Sequence, residues 1–480
     1  ILYMKWVKVA EKKLKKYWGY DKLKSKQIKI INELINGEDV VGLLPTGYGK
    51  SLCYLIPPLI TKKCIIIVSP LISLMEDQKL KLEEMNIPVS ALHSNNPNKT
   101  KEVFDIIDGK IKIVYCSPEF LILGEGLELI DMLVDEDKIA FLAVDESHCI
   151  SVWGHDFRPN YLKIGRIRDK YPDIPILAVT ATATKQVCSE IIQYLKMDNP
   201  KVITCNFDRP NLYLECTSCK SIEKFDVSSI QHKLKKYNND RIIIYVNKRD
   251  NAVKISELIE KITKRKTCYY HGGIAKKRRS EIQKDFIEGQ AKIIVTTVAF
   301  GMGIDQIVKC VIIIGAPNSI EDYYQQIGRA GRDGKPADTQ LMFISKQIKV
   351  AKSFLEKLND PNPDIKKSKE KNLMKMQSFY YNTGCRRKYI LDYFGQIPKF
   401  YTCNNCDNCR LENKVDISEI MFQYCQKYFP RPVYDKEYYK FNKFEQKSFG
   451  PVLKFQLWMM GFFFSVFGVC ELHFNAQLFE

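Results

Sequence analysis

"DVVGLLPTGYGKS", residues 39–51, decides how the rest of the chain is read. An apolar run suited to a strand ends at Pro45 and gives way to Thr46-Gly47-Tyr48-Gly49-Lys50-Ser51, with a helical run after it. Gly47 and Gly49 allow the backbone to turn its N–H groups onto an anion. Lys50 adds a cation that can reach the outer phosphates, and Ser51 adds a hydroxyl that can hold Mg²⁺ at a helix start. The full pattern G-x-x-x-x-G-K-S/T would put a glycine where Leu44 stands, so the match is incomplete. A glycine turn before a helix is often only a cap, but Lys50-Ser51 after a strand favours nucleotide binding.

Working outward, the strand candidates "DVVGLL", "CIIIVS", "IKIVYC", "IAFLAVDE", "ILAVTATA" and "KVITC" alternate with helix-length stretches. A second series follows with "RIIIYV", "TCYYHG", "KIIVTTV", "CVIIIGA" and "TQLMFI". Near-continuous β-branched runs separated by helices indicate parallel sheets covered on both faces. The fold class is therefore α/β, with two lobes followed by a helical, cysteine-bearing subdomain. The expected boundaries are 1–205 for the first lobe, 206–222 for a connector and 223–350 for the second lobe. Residues 351–412 form the helical subdomain, and 413–480 are unassigned.

Ligands in such folds bind at the carboxyl ends of strands. "IAFLAVDE" ends in Asp145 and Glu146, placing one carboxylate to hold Mg²⁺ with Ser51 and another to orient the attacking water. "QQIGRAGRDG" in the second lobe supplies Arg329 and Arg332, which share a face if helical. Guanidiniums at that spacing suit a transferring phosphoryl group, so the site is expected between the lobes.

The formal net charge of +18 over 480 residues favours a polyanionic partner, nucleic acid before membrane. The cysteines lie mostly singly in apolar runs, as free thiols do in a reducing compartment, so an intracellular setting in nucleus or cytoplasm is expected. The opening residues contain no apolar run of signal-peptide length. "FQLWMMGFFFSVFGVC", residues 455–470, is apolar but short for a spanning helix, and no stable membrane association is expected. Cys403, Cys406 and Cys409 in "CNNCDNC", together with Cys385, match a tetrahedral structural Zn²⁺ site, with disulfides as the alternative. Cys216 and Cys219 form a lone C-x-x-C without a second pair, and the basic runs "KKRRS" and "KKSKEK" read as solvated faces.

Taken in order, "WGYDKLKSKQ", "LPTGYGKS", "VSPLISLMEDQ", "AVDESHCISVWGHDFRP", "LAVTATAT", "NFDRPN", "YYHGGI", "TTVAFGMGID" and "SIEDYYQQIGRAGRDG" resemble the RecQ-type DNA helicases of superfamily 2 over roughly residues 17–410. The resemblance implies two RecA-like lobes, the cofactors ATP, Mg²⁺ and Zn²⁺, and 3′-to-5′ movement on single-stranded or forked DNA by a monomer. It assigns Gln27 to the adenine edge, Tyr20 to the base plane, and Lys24 to a position where the family has arginine. It gives His148 a coupling role, and places Trp153, His155, Phe157 and Arg158 in a loop that senses DNA. Ser147 replaces the family's alanine, Val152 stands where Gln or Glu is usual, and "IIIGAPNS" lacks a histidine and an acid before its proline. No winged helix is recognisable after the cysteines. An RNA helicase shares the same engine, and a non-catalytic nucleic-acid scaffold would keep the fold; the intact Lys50, Asp145, Glu146, Arg329 and Arg332 argue against the latter.

Overall fold

The structure, a computed structural model, describes residues 2–122, 124–154, 156–298, 300, 306–357 and 363–412. The first sheet contains β1 (Val40–Leu43), β2 (Cys64–Val68), β3 (Val89–Leu92), β4 (Ile113–Cys116), β5 (Ile139–Val144), β6 (Ile176–Thr180) and β7 (Lys201–Thr204) in the order β3-β4-β2-β5-β6-β1-β7. The second contains β8 (Leu212–Ser218), β9 (Arg241–Val246), β10 (Thr267–Tyr270), β11 (Ile293–Thr296), β12 (Val308–Ile314) and β13 (Ala337–Phe343) in the order β10-β11-β9-β12-β13-β8. Every pairing is parallel. All residues of β1, β2, β4 and β6 are buried, because helices cover both faces of the sheet.

Two expectations are corrected. The 206–222 stretch is more than a connector, since β8 lies within it and pairs with β13 along its whole length. As an edge strand it alternates, with Leu212 and Leu214 buried and Tyr213 and Glu215 only half-buried, so it lacks the continuous apolar signature of its neighbours. The boundary at 350 falls inside one helix, Ser345–Lys357, which packs on the next helix, Pro363–Tyr381. Strand β3 is also absent from the candidates; its Ser90 is buried and donates to Glu102 Oε2 at 2.5 Å.

The helical subdomain is fastened to the second sheet. Leu214 N–H of β8 donates to Asn405 O at 3.3 Å, and Cys216 N–H donates to Asp407 Oδ2 at 2.8 Å. Arg386 forks onto Asp407 at 3.0 and 3.2 Å and also donates to Phe379 O. Arg387 reaches Asp208 at 3.0 Å and Leu212 O at 2.6 Å. Both arginines are buried, so they clamp the subdomain onto the second lobe. Among the described residues no helix is long and apolar enough to cross a membrane, and the 455–470 segment lies outside them.

Candidate nucleotide site and its connections

Because β5, β6 and β1 are neighbours, the loops that follow them converge. Gly47 (φ +79°) and Gly49 (φ +88°) take backbone conformations that side-chain-bearing residues rarely adopt, which is why the turn after β1 needs glycine there. The following helix is brief, Leu52–Leu55, and Pro57 and Pro58 interrupt it, so the grip on phosphate rests on turn amides and Lys50 more than on a long helix dipole.

Lys50 Nζ lies 3.1 Å from Glu146 Oε1, and both side chains are largely buried. Glu146 itself sits at φ +45°, a strained conformation for a residue with a Cβ. Asp145 is held on every side: Tyr54 O–H donates to Oδ2 at 3.1 Å, Glu146 N–H to Oδ1 at 2.9 Å, and Tyr161 O–H to its carbonyl at 3.2 Å. Burial first, and the adjacent Glu146 charge second, push the Asp145 carboxyl up to about 6, against the pull of Lys50. A divalent cation relieves that charge crowding, so a buried acid tethered to the turn that carries Ser51 fits Mg²⁺.

His148 is buried, with Nδ1 2.8 Å from Thr180 Oγ1 and 3.4 Å from Glu146 Oε2. Thr182 N–H donates to Thr180 Oγ1 at 3.2 Å, and Gln325 Nε2 of the second lobe donates to Thr182 Oγ1 at 3.3 Å. Glu146 is thereby joined through His148, Thr180 and Thr182 to the opposite lobe. Nothing in the sequence marked Tyr54 for this role, while Thr180 and Thr182 lie in the quoted "LAVTATAT" and Gln325 heads the quoted "QQIGRAGRDG".

The two arginines do not share a helix face. Their helix, Ile320–Ile327, ends at Gly328, and Gly331 (φ +55°) turns the chain between them. Arg332 comes to the nucleotide turn, where a Cβ added at Gly47 would stand 3.2 Å from its Cγ. Burial pushes the Tyr245 hydroxyl up, and the nearby Arg329 and Arg332 guanidiniums pull against it.

Gln27 donates to Gly49 O at 2.9 Å and Tyr48 O at 3.2 Å, so it braces the turn. Lys24 Nζ donates to Tyr48 O at 3.0 Å and lies 4.5 Å from the Tyr48 ring centroid. Tyr20 is exposed. In the loop after Glu146, Arg158 donates to Pro70 O at 2.6 Å and forks onto Asp156, while Trp153 and Phe157 are half-buried. His155 lies outside the described residues.

Cys385, Cys403, Cys406 and Cys409 gather their sulfurs within 4.8 Å of one another. A tetrahedral Zn²⁺ with bonds of about 2.3 Å has ligands ~3.8 Å apart, so the set fits the ion. Cys403 and Cys409 sulfurs are 4.0 Å apart, which excludes a disulfide between them. Cys216 and Cys219 do not join this cluster: the first meets the helical subdomain, and the second packs on the core of the second lobe.

Three family matches tile the chain: DEAD/DEAH box helicase over residues 24–191, helicase conserved C-terminal domain over 224–334, and RecQ zinc-binding over 342–410. The ATP-dependent DNA helicase RecQ of Haemophilus influenzae is 35% identical over 418 residues, covering 85% of this chain and 65% of that protein. The chain belongs to the RecQ-type ATP-dependent DNA helicases of superfamily 2. The Schizosaccharomyces pombe ATP-dependent DNA helicase hus2/rqh1 is 37% identical over 83% of this chain and 31% of its own length. A protein of Acanthamoeba polyphaga mimivirus, provisionally named an ATP-dependent RNA helicase, is 40% identical over 84% of this chain and 72% of its own length. The chain thus spans between about a third and three quarters of these relatives. A crystal structure of the helicase MrfA bound to DNA and AMPPNP superposes with a TM-score of 0.57 at 19% identity over 88% of this chain and 60% of that one, a likeness of fold.

Two positions where the RecQ-type pattern is broken can be placed in the structure. Gly315 adopts φ +132°, and an added Cβ would meet Gln347 Oε1 at 2.8 Å and Asn247 Nδ2 at 3.0 Å. Gln347 accepts from Ala316 N–H at 2.8 Å and from Asn247 at the same distance. A polar clasp from the Ser345–Lys357 helix therefore fills the space over Gly315. Ser147 is fully buried beside Glu146, consistent with a small residue being required there.

Proposed function

We propose that this chain uses ATP hydrolysis to move 3′ to 5′ along single-stranded DNA and to open forked duplexes, in DNA repair or recombination. The observation that carries the reading is the Lys50–Glu146 pair at 3.1 Å, joined through His148 to Gln325 on the other lobe. Lys50 meets the outer phosphates, and Glu146 then turns from Lys50 to orient the attacking water. Arg329 and Arg332 approach the transferring phosphoryl group as the lobes close. Ser51 and Asp145 would hold Mg²⁺, which neutralises charge developing on the phosphates. The four cysteines would hold Zn²⁺ in a structural role, stiffening the face that clamps β8. Trp153, Phe157 and Arg158, with His155, report bound DNA to the acids a few residues earlier.

An RNA track is the second reading, favoured by the name of the mimivirus relative. ATPase rates without nucleic acid, with single-stranded DNA and with RNA separate the two. Stimulation by DNA alone supports the proposal, and stimulation by RNA alone overturns it. Lys50→Ala abolishes activity; a surviving rate removes Lys50 from the site.

A further inference from the structure

The basic run "KKSKEK" of residues 366–371 is not wholly solvated charge: Lys366 Nζ donates to Glu356 O at 3.3 Å, within the subdomain, and Lys371 reaches outside it. Lys371, exposed on the Pro363–Tyr381 helix, carries its Nζ 5.1 Å from the centroid of the Trp153 ring. The helix belongs to the zinc-binding subdomain and the ring to the first lobe, so the contact bridges two parts of the molecule. Trp153 also packs against the hydrophobic core, and its loop is tied down as well: its backbone N–H donates to Ser151 Oγ at 3.1 Å, and Ser151 donates to Glu190 at 2.6 Å. One helical turn on, Lys375 lies 4.7 Å from the Tyr393 ring, and Tyr393 O–H donates to Glu321 Oε1 at 2.5 Å. Glu321 opens the helix that ends at the arginine turn, so the Lys371 helix is fixed to the second lobe while it touches the first.

We propose that Lys371 is a positioning residue for the loop that reports DNA, holding Trp153 docked when no DNA is bound. Bases stack on the same aromatic face that a cation occupies, so single-stranded DNA and Lys371 compete for Trp153. The docked loop begins at His148, beside Glu146. In that arrangement Glu146 is ion-paired with Lys50, and the two groups that must meet water and phosphate neutralise each other. Undocking Trp153 loosens the segment and frees the pair, which makes the DNA-free enzyme slow and the DNA-bound enzyme fast.

The inference rests on the reading that residues 145–158 couple DNA to hydrolysis, and the test separates the two. ATPase rates of the full chain are measured without DNA and across an oligo-dT titration for wild type, Lys371→Met, Lys371→Arg and Lys369→Met. Lys371→Met keeps the stem and removes the cation. It raises the DNA-free rate roughly twofold to fivefold, the population bias an exposed cation–π contact provides, and lowers the stimulation ratio equally. Lys371→Arg restores the slow DNA-free rate. Lys369→Met, which removes an exposed charge from the same helix, behaves as wild type. If Lys371→Met keeps the wild-type DNA-free rate and only weakens DNA binding, Lys371 is a phosphate contact and the inference is overturned. If wild type itself is indifferent to DNA, the coupling reading fails and takes the inference with it.

Discussion

Gly328→Ala tests whether hydrolysis depends on close approach of the lobes at the nucleotide turn. Gly328 has φ −62°, an ordinary helical value, so alanine fits its backbone and removes unfolded-state freedom worth about 0.4–1 kcal/mol. The main obstacle lies across the cleft, because on its own side an added Cβ would meet Tyr324 O at the milder distance of 3.0 Å. An added Cβ would stand 2.1 Å from Thr46 Oγ1 and 3.2 Å from Thr46 Cβ, against a comfortable separation of about 3.5 Å. Unless Thr46 rotates its hydroxyl aside, the lobes must part by more than ~1 Å, or the turn carrying Lys50 must shift by as much. A misplacement of that size costs about 100-fold in rate, or ~2.7 kcal/mol of barrier. The expected result is a DNA-stimulated kcat down about 100-fold, with a melting temperature unchanged or slightly raised. Thr46→Ala in the same chain removes the nearest atom and recovers most of the loss relative to Thr46→Ala alone. A Gly328→Ala enzyme with wild-type kcat would refute the argument that the Thr46–Gly328 contact is made during turnover.

Three further outcomes follow from the geometry. Metal analysis returns about one Zn²⁺ per chain, and Cys406→Ser loses it together with thermal stability, because Cys406 bridges to Leu214 of β8; a metal-free chain of unchanged stability contradicts the site. Asp39→Ala strands Arg168 and the N–H groups of Ile176 and Asp198, which donate to Asp39 at 2.6, 2.7 and 2.9 Å. It lowers stability by about 3–5 kcal/mol in chemical denaturation, while Asp39→Asn retains part of the loss. Glu102 is pushed up by burial, but bonds from Lys79, Ser90 and Asn96 outweigh that and leave its carboxyl below its ordinary value. The unfolded state then binds the proton more readily, so Glu102 contributes stability above its unfolded pKa of about 4.3 and loses it as pH falls through the lower folded value. Urea midpoints between pH 3 and pH 7 fall more steeply for wild type than for Glu102→Gln; equal slopes sink the assignment.

The legible parts of this protein are those written in contiguous residues. Lys50-Ser51 and Asp145-Glu146 each follow a buried strand, and strand order alone brings them together. Edge strand β8 was hidden because only alternate residues are buried, and β3 because it is short and its buried Ser90 is satisfied by Glu102 on the helix that follows. Arg386 and Arg387 are only adjacent cations in sequence, yet each finds acids and carbonyls on another element and becomes a clamp. Spacing suggested a helical face for Arg329 and Arg332, whereas the positive φ of Gly331 turns the chain and sends Arg332 to the nucleotide turn. Such partners are set by tertiary approach, which no local pattern encodes.

The same approach gives the proposed coupling its economy. Glu146 has two oxygens, one 3.1 Å from Lys50 and the other 3.4 Å from the imidazole of His148. If Glu146 swings toward water, it releases Lys50 to phosphate and leaves His148 with Thr180 at 2.8 Å. Thr180 also receives the N–H of Thr182, whose own hydroxyl meets Gln325 from the other lobe. Each link is a hydrogen bond with a small number of discrete partners, so the rearrangement has distinct states and does not relax smoothly away with distance. His148→Asn can still hydrogen-bond Thr180 but cannot reach both groups as the ring does. It should therefore lower the DNA-stimulated rate far more than the DNA-free rate, and equal losses in both would place His148 in hydrolysis itself and outside the coupling path.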